Sequence, residues 1–70
     1  MKLKWMADEK NVICAYTVGW VYFIQRIRGV AVTEYAAFAV NQKHDNDKRW
    51  LGKHSTLAKA KTKCSKWEGN

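Results

Sequence analysis

Trp20-Val21-Tyr22-Phe23-Ile24-Gln25-Arg26-Ile27-Arg28 decides the fold of this chain. β-Branched and aromatic residues dominate the stretch, and such side chains suit a pleated surface. Successive side chains of a strand point to opposite faces. Val21, Phe23 and Ile27 therefore point one way, and Trp20, Tyr22, Ile24, Arg26 and Arg28 the other. Both sets are apolar, so this strand belongs inside a sheet and offers grease on two sides.

Working outward, Val12 to Thr17 has the same composition, and Gly19 between the two marks a tight turn or bulge. Arg28-Gly29 marks the next reversal. Thr33 to Asn41 is another strand, although its three alanines favour helix. Leu3 and Trp5 alternate with Lys2 and Lys4 as in a half-buried strand, and Ala7 to Asn11 reads as a polar turn. Gln42 to Lys48 is a charged loop, and Arg49-Trp50-Leu51 is a short strand ended by Gly52.

The C-terminal segment is helical. Ser55 is placed to cap it. Leu57, Ala60, Cys64 and Trp67 recur at spacings of three and four and make one apolar stripe, while Lys59, Lys63 and Lys66 fall on the outer side. Gly69 follows the last turn. The expected fold class is α+β: an antiparallel sheet of three to five strands packed on one C-terminal helix. Residues 1–70 form a single domain, with no repeat or linker.

One helix covers one face of a sheet. The face carrying two arginines is the harder one to bury, so Val21, Phe23 and Ile27 are expected beneath the helix. Trp20, Tyr22, Arg26 and Arg28, joined by Tyr35, are then left as an uncovered aromatic surface for a partner. The reverse register buries Trp20 and Tyr22 instead.

Charge sharpens the picture. The 70 residues carry a net charge of +7. Residues 43–70 hold eight basic groups against three acidic ones, which concentrates the charge in the C-terminal half. Lys48, Arg49, Lys53, Lys59, Lys63 and Lys66 are the candidates for electrostatic or nucleic-acid contact. A solvated, self-repelling surface is the plain alternative.

Catalysis is not expected. Asp45 and Asp47 beside His44 lack the remaining ligands of a calcium loop, and no Cys/His pairs have zinc spacing. His44, Asn46 and His54 resemble a nuclease motif without its carboxylates. Cys64 lies on the buried stripe, away from the base a nucleophile needs. No metal or cofactor is expected. Val12 to Ile24, the longest apolar run, has thirteen residues where a span needs about 20, so no membrane segment is expected. The acids near the N-terminus do not suit a signal peptide. A cytoplasmic setting with Cys14 and Cys64 reduced and buried follows.

Trp5, the Tyr22-x-Ile24 strand, the Tyr35 strand and Leu51-Gly52-x-x-x-Thr56-Leu57-x-x-Ala60-Lys61-x-x-Cys64 together resemble small phage- and prophage-encoded accessory proteins built as a β-meander with one helix. The resemblance implies a stoichiometric inhibitor or modulator of a host protein or nucleoprotein, including counter-defence of the anti-CRISPR kind. A weaker similarity is to the arm-site DNA-binding domains of phage integrases. It implies a double-stranded DNA-binding module that lays its sheet in a groove, and here no integrase catalytic domain accompanies it. A homodimer that buries the aromatic face on itself is the third expectation.

Overall fold

Both faces of Trp20–Arg28 are apolar because the strand lies at the centre of the sheet. The computed structural model describes residues 3–67. Among them are five strands and one helix: β1 (Met6–Glu9), β2 (Val12–Tyr16), β3 (Trp20–Arg28), β4 (Thr33–Asn41), β5 (Lys48–His54) and α1 (Leu57–Lys66). Each strand pairs antiparallel with the next, so the sheet is a simple meander in the order β1-β2-β3-β4-β5. The α+β architecture with one C-terminal helix is the one expected.

Differences lie at the chain's beginning and at the joins. The first strand is Met6–Glu9, where a turn was expected, and the turn itself is only Lys10-Asn11. Asn11 adopts φ +67, a left-handed conformation that asparagine tolerates better than most residues. Leu3 and Trp5 are not in a strand. They pack against the core cluster, and the Lys61 ammonium lies 6.0 Å from the Trp5 ring centroid. Lys2 and Gly69 lie outside the described residues.

β5 does not end at Gly52. The register shifts between Ala37 and Phe38, where Gly52 pairs with Ala37 and Trp50 with Phe38. Gly52 takes φ +97, which a side chain would strain, and the extra residue is a bulge. The shift lets Leu51 enter the core while Trp50 and Lys53 point to the opposite face.

Thr56, not Ser55, caps α1. Its Oγ1 accepts from the Lys59 amide at 3.2 Å, the third residue of a helix that begins at Leu57. Ala60 and Cys64 are fully buried on the stripe, and Lys59, Lys63 and Lys66 are exposed, as the spacing requires. The alanines of β4 explain themselves here. Ala37 and Ala39 are completely buried and belong to the same cluster as Ala60 and Cys64. Small side chains on both elements let the helix approach the sheet closely.

The helix lies on the opposite face from the one expected. The core contains Tyr22, Ile24, Ala37, Ala39, Leu51, Ala60 and Cys64, with Trp20, Tyr35, Leu57 and Trp67 packed against it. Trp67 explains the choice. Its ring meets Trp20 edge-on at 4.8 Å and Tyr22 edge-on at 5.8 Å. The Tyr22 hydroxyl donates to the Trp67 carbonyl at 3.3 Å. The arginines did not bar this face because the helix is short. Ten residues of helix span about 15 Å, whereas nine residues of β3 span about 30 Å. Arg26 and Arg28 fall on the length of strand that the helix leaves bare.

Candidate binding face

Reversal of the faces moves the uncovered surface without abolishing it. The open side of the sheet carries a row that crosses all five strands. Met6 pairs with Cys14, Cys14 with Phe23, Phe23 with Phe38, and Phe38 with Trp50. Every member is apolar. The Phe23 and Phe38 rings stack with centroids 5.3 Å apart and planes inclined by 19°. Cys14 is small and buried between its larger neighbours. Burial pushes its thiol pKa up, and the Asp8 carboxylate adds to the effect.

The next row extends the patch through Tyr16, Val21 and Val40 to Lys48. On the other side, Val12, Gln25, Ala36 and Lys53 form a more polar row. Trp50 is 62% exposed, Tyr16 61% and Met6 45%. Large apolar side chains this exposed, joined across the sheet by the half-buried Phe23 and Phe38, are unusual in a monomer that works alone.

Of the residues read as partner anchors, Trp20 and Tyr22 are therefore not on the uncovered face. They are packed beneath the helix end, so exposure no longer supports a docking role for them. Arg26 and Tyr35 are brought together. They are cross-strand partners on the helix side, beyond the start of α1, and line a groove of about 290 Å³ with Ile24 and Leu57. The Asn11 side-chain carbonyl accepts from Arg26 Nε and Nη2, so the left-handed hairpin turn orients this guanidinium. Arg28 is exposed two residues further along the same side.

The electrostatic candidates are also split. Lys48 and Lys53 sit on the open face of the edge strand β5. Arg49 points to the helix side, ion-paired with Asp47 at 2.8 Å and 5.7 Å from the Trp20 ring centroid. Hydrogen bonds from Arg49 and Asn41 hold the Asp47 carboxyl below the ordinary aspartate range. Lys59, Lys63 and Lys66 project from the outer side of α1. Basic groups thus lie mainly on the helix side, and the open face is apolar with a lysine edge.

The two cysteines face opposite sides of the sheet, Cys14 outward and Cys64 beneath the helix, out of reach of one another and both free. Burial raises the Cys64 thiol pKa to about 11, which holds it as an inert thiol at neutral pH. Among the described residues, no three His, Cys, Asp or Glu side chains come together as a metal-ligand set. No helix among them is long and apolar enough to cross a membrane.

Phe23, Phe38 and Trp50 are the surface residues that strand alternation alone did not select. The available signal was the pairing of aromatic residues across neighbouring strands, which needs the register. Comparison with family models, curated proteins and solved structures finds no match to this chain.

Proposed function

We propose that this chain is a non-catalytic binding protein that works by stoichiometric association. The open sheet face is its polypeptide-docking surface, and the lysine-bearing helix side meets an anionic surface. The resemblance to phage accessory proteins points to an inhibitor or modulator of a host protein or nucleoprotein in the host cytoplasm. One observation carries the reading: the apolar row from Met6 to Trp50 runs across every strand, through the half-buried Phe23–Phe38 stack to the exposed Trp50 indole. Aromatic side chains on a flat apolar patch are the usual anchors of protein interfaces. Lysines on the helix side speed encounter with an acidic partner, and the patch itself carries lysines only along its β5 edge.

A sheet laid in duplex DNA is less well supported. Five strands at about 4.8 Å spacing are roughly 20 Å across, wider than the major groove at about 12 Å. Arg26 and Arg28 also lie on the other side from the aromatic row.

The test is capture of bacterial proteins, and of an untagged copy of the chain, by the tagged chain, its Trp50→Ala variant and a Ser55→Ala control, exposed and outside both surfaces. Circular dichroism checks that all three are folded. Loss of captured polypeptide with Trp50→Ala, and retention with Ser55→Ala, is the expected result. An identical set from all three would overturn the reading. A mobility shift with duplex DNA that persists in Trp50→Ala and weakens with salt would favour the DNA-binding module instead.

A further inference from the structure

We propose that the polypeptide occupying the open face is a second copy of this chain, an inference that rests on the reading of that face as a docking surface. The row Met6, Cys14, Phe23, Phe38, Trp50 is centred on β3, the middle strand. A two-fold axis between two facing sheets, parallel to β3, sets this row against its own reverse. Phe23 then meets Phe23 of the second copy. Phe38 comes opposite the small Cys14, and Trp50 opposite the flexible Met6 thioether. Large side chains meet small or adaptable ones, the self-complementarity that an isologous contact needs.

Charge selects the same axis. Lys53 and Glu9 lie at opposite ends of one cross-strand row, through Ala36, Gln25 and Val12. The strand-parallel axis places Lys53 of each copy against the acidic end of β1, Asp8 and Glu9, of the other. An axis perpendicular to the strands would stack β5 on β5 and set Lys48 of each copy against Lys53 of the other.

Size and net charge are compatible with this pairing. The face is roughly 20 Å across and about 30 Å long at β3 and β4, shorter at β1 and β2, and its upright rings add accessible area. A specific interface buries at least about 1,000 Å² in total, about 500 Å² per partner, which the face supplies. The charge of +7 per copy does not prevent association. Facing sheets pack about 10 Å apart with a helix on each outer side, so the two lysine-bearing helices are separated by about 30 Å. That is several times the Debye length of about 8 Å at physiological ionic strength. The dimer is a four-layer α/β/β/α sandwich with the lysines of its helices turned outward and Lys48 and Lys53 at the rim of the contact.

Light scattering after size-exclusion chromatography, across a range of concentrations, tests this. Wild type should run at twice the monomer mass. Phe38→Glu should dissociate it. Trp50→Glu, at an exposed edge position where folding is not at stake, should weaken the dimer by about tenfold or more. Lys53→Glu should weaken it severalfold, and adding Glu9→Lys should restore most of the loss. A dimer untouched by Phe38→Glu and Trp50→Glu would overturn the proposal by placing the contact elsewhere. A wild-type monomer at every concentration would overturn it too. If that monomer still captures another protein or a single-stranded nucleic acid through Trp50, the docking face stands with a different occupant. If it captures nothing through Trp50, both readings fall.

Discussion

Phe23 and Phe38 stack on the side of the sheet that no helix covers, ring against ring at the centre of a row crossing all five strands. Two neighbouring strands have each placed a phenylalanine where another molecule can finish burying it. The stack itself contributes to the fold, because each ring shields part of the other from water. Phe23→Ala and Phe38→Ala should each cost about 1–2 kcal/mol, and the double variant should lose less than the sum by about 0.5–1.5 kcal/mol. Urea denaturation at low protein concentration measures the cycle. A coupling of zero would mean that the rings do not touch in solution.

Trp67 holds the end of the helix to the sheet through edge-on contacts with Trp20 and Tyr22. Trp67→Ala should destabilise the domain by about 2–4 kcal/mol and flatten its near-ultraviolet circular dichroism. Trp67→Phe, which keeps an edge for both partners, should recover about half. If truncation at this position changed stability as little as an ordinary surface substitution does, the helix would not be docked there.

Asn11 has two separable roles: it occupies a left-handed backbone position and orients Arg26. Asn11→Gly keeps the backbone conformation and loses the side-chain carbonyl. Asn11→Ala loses both, and should be less stable than Asn11→Gly by about 1 kcal/mol. In both variants the Arg26 side-chain Nε–H resonance should lose its distinct chemical shift. Equal stability of the two variants would place Asn11 in an ordinary backbone conformation.

The buried Cys64 thiol sets an alkaline limit. Its folded-state pKa of about 11 lies above the reference value of 9.0, so the unfolded chain ionises first. Stability from this group is intact below pH 9 and declines as the pH rises from there through about 11, by at most about 3 kcal/mol. Tyr22, raised by burial, adds in the same direction. Thermal unfolding of Cys64→Ala should show a smaller drop between pH 8 and 10.5 than wild type, although its stability at pH 7 is lower. Parallel curves for the two proteins would show that the thiol is hydrated.

Local chemistry made most elements legible. The boundaries of β3 and β4 coincide with the stretches read from composition, because β-branched and aromatic runs ending at Arg28-Gly29 leave little alternative. The stripe of α1 was legible for the same reason, as 3.6-residue periodicity survives whatever the helix packs on. β1 was misplaced because Met6–Glu9 is an exposed edge strand, held by main-chain pairing to β2 and not by burial of alternate side chains. Gly52 reads as a strand terminator in isolation. Only the register with β4 makes it a bulge in the middle of β5.

By itself the sequence determined a two-sided apolar sheet, a single backing helix with its lysines outward, and hence one surface left bare. Which surface that is, only the tertiary structure decided. Both faces of β3 alternate equally well, so no local pattern distinguishes them. The choice rests on contacts distant in the chain: Trp67 reaching Trp20 and Tyr22 more than forty residues away, small Ala37 and Ala39 admitting Ala60 and Cys64, and a helix too short to meet the arginines. Periodicity names the two sides of a strand, and packing between remote segments determines which of them meets water.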